Sequence, residues 1–356
     1  MGGLDVKAPG RICLFGEHQD YLGLPVVAAA ITRYIFVSGE PGLAQELEIE
    51  LPDLGTTRTL SLSRENTYES GRDYLASCVN VLLRQGVRWQ SGYRVRISGD
   101  IPQQAGVSSS SALVVAWMKF LLRAAGDARG WKPGELARLG HAAEVTEFCE
   151  PGGMMDHFAA SYGGVIWVDT RPPFACRPLK ADIEGIILCH SGQPKATIET
   201  LATARKHFTD ALQKARALAP HLDIASTPIE EMRRLTDDLS IQERDLLECQ
   251  WISRDLTPRG LQALEEGASP AILGRLLTAH HEQLRRLGVS TDRIDAILDA
   301  ALATGAVGGK VNGSGGGGCL FVLAPGREEP VMRAMRSAGG TPWYVEVARM
   351  DDVQPE

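Results

Sequence analysis

The spacing of hydrophobic and polar residues divides the chain into a strand-rich first third and a helix-rich later part. Apolar runs that alternate with polar residues or are rich in β-branched residues predict strands over residues 11–15, 26–38, 47–51, 57–62 and 93–97. Helical spacing predicts helices over residues 73–84, 109–125 and 132–148, the last with Pro at an early position. A further strand is predicted over residues 164–169.

The pattern changes after the Pro-rich segment TRPPFACRP, residues 170–178. A strand over 186–190 is followed by amphipathic helices as far as about residue 304. The chain closes with a strand, a glycine-rich loop, a strand over 320–324, a helix over 328–337 and a strand over 343–349. We therefore predict two domains, residues 1–175 and 176–356, the second with an α+β layer.

Composition restricts the class of protein further. Of the 356 residues, 44% are hydrophobic and 23% charged, as in ordinary globular proteins, and the net charge of -7 offers no basic surface for nucleic acid or an anionic membrane. The first residues lack an apolar signal core, and no run of about 18 apolar residues occurs. The seven cysteines include no CxxC pair. We expect a cytoplasmic protein with a small-molecule partner.

The segment GEHQDY, residues 16–21, places Glu17, His18 and Asp20 directly after a predicted buried strand. Carboxylates accept two hydrogen bonds each and an imidazole donates or accepts, so the group suits a ligand with neighbouring hydroxyls. Buried acids without partners are costly, which favours a strand end that opens into a cleft. A capping turn with an incidental His is the structural alternative. A metal site is less favoured, because adjacent residues of an extended strand point in opposite directions.

A run of four serines follows Gly106 in the segment IPQQAGVSSSSALVVAW, residues 101–117. Backbone N–H groups and hydroxyls collect there at the start of a predicted helix, where the helix dipole favours an anion. The segment therefore predicts a phosphate-binding loop. The alternative is a helix cap with more serines than a cap requires.

The glycine-rich segment GGKVNGSGGGGC, residues 308–319, contains G-x-G-x-x-G at Gly313, Gly315 and Gly318. A dinucleotide-binding loop needs a helix after it, whereas a strand is predicted here, and no Gly-Lys-Ser/Thr completes a Walker A loop. We interpret the segment as a loop whose backbone closely approaches a partner.

A third group of acids lies in AEVTEFCEPGGMMDHF, residues 143–158. Glu144 stands near the end of a predicted helix, and Asp156 lies in an apolar setting where an acid needs a partner. Taken alone, the segment favours a helix cap at Asp156 and a solvated acidic face at Glu144.

Together, APGRICLFGEHQDYLG, PQQAGVSSSSA and KVNGSGGGGC resemble, in order and approximate spacing, the three motifs of the galactokinase, homoserine kinase, mevalonate kinase and phosphomevalonate kinase superfamily. The combination of PGR with GEHxDY is most similar to galactokinases, since mevalonate kinases keep GEH without Asp-Tyr, and PGGMMD resembles the galactokinase segment with the catalytic aspartate. The resemblance spans nearly the whole chain. It implies a two-domain α+β small-molecule kinase: an N-terminal α/β domain with the serine-rich phosphate loop, a C-terminal ferredoxin-like domain, and the active site between them.

The resemblance also implies a role for each matching residue. Asp156 and Arg11 would be catalytic, and Ser110 and Glu144 would hold Mg²⁺. The sugar would be bound by Glu17, His18, Asp20 and Gly153. ATP would be bound by Gly106, Ser108, Ser109, Ser110, Ser111, Gly313 and Gly315. The implied reaction transfers the γ-phosphoryl group of MgATP to a hydroxyl, that on C1, of galactose or a related sugar, in a monomer or weak homodimer.

Departures from the galactokinase pattern leave the acceptor open. They are Gln19, Ser111, His157 and the run Lys310-Val311-Asn312. Because one altered hydroxyl partner shifts sugar preference, another hexose, a uronic acid, a pentose or a mevalonate-like alcohol are alternative acceptors, with Asp20-Tyr21 against mevalonate. A non-catalytic sugar sensor is an alternative of another class, and the retained catalytic residues argue against it.

Overall fold

A computed structural model describes residues 3–42, 44–102, 105–150, 152–194 and 198–349, with side chains described everywhere in these ranges except 198–205. Pro151, within the PGGMMD segment, lies outside the described residues. In the described part of the chain, no helix has both the length and the apolar content required to cross a bilayer.

The first half of the chain forms a seven-stranded sheet. Its strands are β1 (Leu4–Phe15), β2 (Val26–Pro41), β3 (Glu46–Leu51), β4 (Thr56–Ser61), β5 (Tyr93–Gly99), β6 (Val165–Asp169) and β7 (Ala175–Leu179). The spatial order is β4-β3-β5-β2-β6-β7, with β1 antiparallel to β2, and only the β3–β5 pair among these is parallel. Four helices accompany the sheet: α1 (Tyr74–Arg84), α2 (Ser109–Ala124), α3 (Pro133–His141) and α4 (Met155–Tyr162). Apolar side chains of β1–β5 form a common core with α1, α2 and α3.

The second half contains a four-stranded antiparallel sheet. Its strands are β8 (Ile186–His190), β9 (Gly308–Val311), β10 (Cys319–Leu323) and β11 (Thr341–Val345), in the spatial order β11-β8-β10-β9. The helices are α5 (Ile198–Leu218), α6 (Ile229–Leu235), α7 (Ile241–Glu265), α8 (Pro270–Arg286), α9 (Asp292–Thr304) and α10 (Glu328–Ser337). A strand, helices, two strands, a helix and a strand in this order form the ferredoxin-like arrangement, so the predicted fold class is confirmed.

Several local features differ from the sequence predictions: β1 begins at Leu4 rather than at residue 11, and the last strand is Thr341–Val345 rather than 343–349. The Pro-rich segment contains β7, which pairs with β6 and extends the first sheet past residue 175; the domain limits remain a prediction. The helix predicted over 132–148 leaves α-helical geometry at a π-helical turn, Ala142–Thr146. The GEHQDY segment is a turn rather than an extended strand, with φ of +88° at Gly16 and +61° at His18, so the argument against a metal site from extended geometry was wrong.

The two halves share a hydrophobic core, which places the functional segments at their junction. Ile12, Leu14 and Phe15 of β1 pack with Leu188 of β8 and Phe321 of β10 in one buried cluster. Burial of this apolar surface stabilises the orientation of one half on the other. The motif that follows Phe15 therefore begins at a point where both halves meet.

A glycine in α7 makes this junction close. A methyl group at Gly260 would lie 2.3 Å from the ring of Phe15. We expect Gly260→Ala to lower the free energy of unfolding by about 1–2 kcal/mol, because overpacking outweighs the gain in helix propensity. Denaturant unfolding measures the loss, and Gly71→Ala, with nothing within 4 Å of the added carbon, is the matched control. Equal stability of the two variants would contradict this packing.

Candidate active site

The buried Arg11 of β1 and the half-buried Asp156 of α4 form an ion pair. Arg11 Nε lies 2.8 Å from Asp156 Oδ1, and Nη2 lies 3.1 Å from Oδ2, so the guanidinium holds both carboxylate oxygens. Burial alone would raise the pKa of Asp156, but the charge of Arg11 holds it below its usual value. Burial alone would lower the pKa of Arg11, but the charges of Asp156 and Glu17 raise that pKa above its usual value. The carboxylate is therefore kept ionised in a site that would otherwise neutralise it.

The backbone carbonyl of Gly106 joins three sequence-distant segments. It accepts hydrogen bonds from Arg11 Nη1 at 2.6 Å and from Asn312 Nδ2 at 2.8 Å. The other end of the amide, Asn312 Oδ1, accepts from the N–H of Cys13 at 2.8 Å. Gly106 has φ of +77°, and a Cβ there would lie 2.7 Å from the Asn312 carbonyl, so glycine is required both by conformation and by space. The strand β1, the serine loop and the glycine loop thus meet at one atom.

Glu17 connects the acidic motif to the glycine loop. Its Oε2 accepts hydrogen bonds from Lys310 Nζ and from the N–H of Gly313, each at 2.9 Å. Lys310 Nζ also donates to the carbonyl of Cys13 at 2.9 Å. Both charged side chains are buried, so each is the main compensation for the other.

Asp20 is an acid of a different kind, because it has no counter-ion. No Arg, Lys or His in the described residues forms an ion pair with it; its Oδ1 accepts from the N–H of Tyr21 at 2.9 Å. Burial and the nearby charge of Asp156 raise the pKa of Asp20 to about 6. A Cβ at Gly153 would lie 2.2 Å from Asp20 Oδ2, so the absence of a side chain at 153 provides the space for this carboxylate.

The two residues between Glu17 and Asp20 have different orientations. His18 adopts a left-handed backbone conformation, and its ring lies edge-on to Tyr21, with 6.4 Å between centroids. Gln19 is fully buried against α7 instead, where its Nε2 donates to the carbonyl of Gln250 at 3.0 Å. Gln19, which departs from the galactokinase pattern, therefore connects the first half of the chain to α7 of the second half.

The serine run forms the N-terminus of α2. Ser108 is the N-cap residue with φ of +61°, and Ser109, Ser110 and Ser111 form the first turn. The Ser108 hydroxyl oxygen is buried and makes no well-formed hydrogen bond to a described residue, although it lies close enough to Asp156 to lower the pKa of that carboxyl. A helix N-terminus with a hydroxyl at its cap is suited to an anion such as a phosphate.

The two glycines predicted to bind ATP have different neighbours. Gly313 has φ of +76°, and a Cβ there would lie 2.5 Å from the Gly106 carbonyl, so it packs directly on the serine loop. Gly315 also has a positive φ, but a Cβ there would meet the carbonyl of Val289, 2.2 Å away. Gly313 therefore lies against the serine loop, whereas Gly315 lies against Val289 in the segment after α8.

Glu144 lies on the π-helical turn beside the serine loop. Its Oε2 is 2.8 Å from His157 Nε2. Burial alone would raise the pKa of Glu144, but His157 and the hydroxyls of Ser110 and Ser111 lower it. The Ser110 hydroxyl and an ionised carboxylate are hard oxygen donors and fit Mg²⁺. The described residues contain no group of three or more His, Cys, Asp or Glu that could hold a metal alone, so ligand oxygens or water would complete its coordination.

Three contributors to this network were not assigned a role from the sequence: Lys310, Asn312 and His157. Each was noted only as a departure from the galactokinase pattern. Their position inside or next to a motif was the available signal, but their partners lie far along the chain, as with Lys310 and Glu17.

A concavity of about 790 Å³ on the first sheet is lined by none of the motif residues, and we assign it no role.

Comparison with known families agrees with this geometry. Residues 73–164 match the model for the GHMP kinases N terminal domain, and residues 261–341 match the GHMP kinases C terminal model. Residues 5–41, which include Arg11 and the GEHQDY segment, match the galactokinase galactose-binding signature. Together the three matches cover more than half of the chain.

Individual relatives include two kinds of kinase at nearly equal similarity. A mevalonate kinase of Pyrococcus furiosus is 28% identical, and a galactokinase of Thermococcus kodakarensis is 27% identical, each alignment covering 96% of both chains. Further mevalonate kinases of Pyrococcus and Thermococcus match at 27 to 29% identity. Among solved structures, Lactococcus lactis galactokinase complexed with galactose superposes with a TM-score of 0.83 at 21% identity, covering 98% of this chain and 94% of that one. Overall identity therefore does not decide between the acceptors.

The Arg11–Asp156 pair makes a prediction that needs no substrate. We expect Arg11→Gln to raise the pKa of Asp156, because the largest charge that opposes the effect of burial is then removed. The ¹³C shift of the Asp156 carboxyl carbon, followed against pH, measures the change. Arg33→Gln, which removes a surface pair with Asp100, is the control and should leave this titration in place. An unchanged Asp156 titration in Arg11→Gln would show that the pair does not control ionisation.

Proposed function

The chain belongs to the GHMP kinase superfamily, and from this premise we propose that it is a sugar kinase, transferring the γ-phosphoryl group of MgATP to a hydroxyl, that on C1, of galactose or a similar neutral sugar. The superfamily is one of alcohol phosphotransferases. The choice of a neutral sugar over mevalonate depends on the charges around the acceptor residues.

The lack of a counter-ion at Asp20 is the observation that favours a neutral sugar. Arg11, the cation whose charge acts on Asp20, already holds the carboxylate of Asp156, and the buried Lys310 holds that of Glu17. The unpaired charge of Asp20 is therefore left to face an acceptor. Sugar hydroxyls donate to such a carboxylate, whereas the carboxylate of mevalonate or of a uronic acid would be repelled by it. The match of residues 5–41 to the galactose-binding signature supports the same acceptor.

For phosphoryl transfer, the protein has to align the acceptor hydroxyl and offset negative charge. In the proposed reaction, Asp156 accepts the hydrogen bond of the reacting hydroxyl while the bond from oxygen to phosphorus forms and the bond to the leaving ADP breaks. Because Arg11 lowers its pKa, Asp156 is a weak base and first orients the acceptor hydroxyl. It accepts the hydroxyl proton only when the forming bond from oxygen to phosphorus has made that proton acidic. Arg11 remains a positive charge beside the reacting groups.

The nucleotide phosphates are assigned to the serine loop and the adjacent glycine loop. Gly106, Ser108, Ser109, Ser110 and Ser111 present N–H groups and hydroxyls at the start of α2, and Gly313 packs against them. Ser110 and Glu144 would hold Mg²⁺, which when bound offsets the charge of the β- and γ-phosphates.

An acceptor panel tests the proposal. With MgATP, we expect turnover with galactose and at least ~100-fold lower kcat/KM with galacturonate or mevalonate, because Arg11 and Lys310 are already paired and Asp20 would repel their carboxylates. Coupled detection of ADP and NMR of the product identify the acceptor and the phosphorylated hydroxyl. Asp156→Asn is the control: it should abolish turnover and keep the wild-type affinity for MgADP.

Other results of the panel have definite meanings. Turnover confined to mevalonate would show that Asp20 does not select for a neutral acceptor and would overturn the proposal. MgADP binding without turnover on any acceptor would instead favour the sugar-sensor alternative.

The raised pKa of Asp20 predicts a pH dependence in two measurements. Below pH 6 the carboxyl is protonated, so the Kd for galactose should rise about 10-fold between pH 7.5 and pH 5. A carboxyl whose pKa is raised on folding contributes stability at low pH that is lost as pH rises through 6. Asp20→Asn should therefore bind galactose weakly at every pH and show a higher Tm than wild type at pH 8. Titration calorimetry at pH 7.5 and pH 5 measures galactose binding, and scanning calorimetry at pH 8 measures Tm. An Asp20→Asn variant with wild-type galactose affinity and wild-type Tm would refute the assignment.

A further inference from the structure

We propose that Lys310 is a positioning residue that couples the nucleotide loop to the acceptor site. This inference rests on the proposed function, which assigns Glu17 to the acceptor and Gly313 to the nucleotide. Lys310 itself contacts neither ligand in this assignment. It acts by holding Glu17 and the glycine loop in one fixed arrangement.

The surroundings of Lys310 fix the position of its ammonium group. The side chain is 0% exposed, on the short strand β9. Its Nζ donates to the Cys13 carbonyl on β1 and to Glu17 Oε2, and it lies 5.4 Å from the centre of the Phe321 ring. A buried ammonium is costly unless these partners stay in place, so displacement of any of them is opposed.

The two carboxylate oxygens of Glu17 have different hydrogen-bond partners. Oε2 accepts from Lys310 Nζ and from the Gly313 N–H, while Oε1 accepts no hydrogen bond from the described residues. Oε1 is therefore the oxygen left for an acceptor hydroxyl. Because Gly313 also packs on Gly106 of the serine loop, a shift of Glu17 toward or away from an acceptor has to move the nucleotide loop as well.

A purely structural ion pair would make different predictions. If Lys310 only neutralises Glu17, removing both charges together should restore both stability and MgADP affinity measured without galactose. If Lys310 positions the loop, a neutral pair should restore stability without restoring MgADP affinity. The double variant therefore separates the two roles.

The experiment compares wild type with Lys310→Met, Glu17→Gln, and the double variant Glu17→Gln/Lys310→Met. Lys206→Met, an exposed lysine paired with Asp210, is the matched control. Calorimetric titration with MgADP, alone and with saturating galactose, gives nucleotide affinity and its coupling to the acceptor, and Tm reports folding.

In wild type and Lys206→Met, galactose should tighten MgADP binding at least ~5-fold. In Lys310→Met, we expect a lower Tm, MgADP binding at least ~5-fold weaker without galactose, and a coupling below about 2-fold. The double variant should regain most of the Tm but neither the affinity nor the coupling. Wild-type MgADP affinity without galactose in the double variant, or unchanged MgADP binding in Lys310→Met, would overturn the proposal.

The MgADP arm without galactose keeps the two proposals separate. If wild type does not bind galactose, the sugar-kinase proposal fails, while the loss of MgADP affinity in Lys310→Met still tests Lys310. If galactose is phosphorylated but Lys310→Met binds MgADP as wild type does, only the inference about Lys310 fails.

Discussion

The geometry of this site depends on one backbone carbonyl, that of Gly106. A guanidinium from β1 and an amide from the glycine loop donate to the same oxygen, at 2.6 and 2.8 Å. Side chains at Gly106 or Gly313 would occupy the space in which these loops meet. Since the donors are Arg11, which also holds Asp156, and Asn312, which also binds Cys13, a displacement of the serine loop would disturb the Arg11–Asp156 pair and the glycine loop together. The three motifs therefore operate as one hydrogen-bonded unit rather than as separate binding loops.

Charge pairing within that unit explains which group remains for the acceptor. Arg11 neutralises Asp156 and Lys310 neutralises Glu17, so the net charge of the acceptor region is set by Asp20. A partly buried carboxylate without a counter-ion destabilises the folded chain at neutral pH, and desolvation together with the charge of Asp156 raises its pKa to about 6. A residue that costs stability in the free protein and gains partners when a polyol binds has the character of a functional residue rather than a structural one.

Sequence patterns located most strands and helices, because each pattern reports burial within its own segment, although β1 begins at Leu4 rather than at residue 11. Helix 328–337 matches α10, and the strand over 164–169 differs from β6 by one residue. The π-helical turn at Glu144 was outside this reasoning, since a single extra residue in a turn leaves the apolar spacing almost unchanged. The strand β7 was hidden by Pro178 within it and by the prolines just before it, and an edge strand tolerates a proline.

Side-chain partners were much harder to anticipate than segments. Gln19 stands inside the acceptor motif, yet its amide is bound to Gln250 on α7, more than 200 residues away. Lys310 stands beside the nucleotide loop, yet it binds the acceptor motif. Both assignments follow from where the chain folds back on itself, which no local pattern records. The same reason explains why mevalonate kinases and galactokinases are almost equally similar to this chain over its length: identity averages over the shared fold, whereas the acceptor is selected by the charge and orientation of a few side chains.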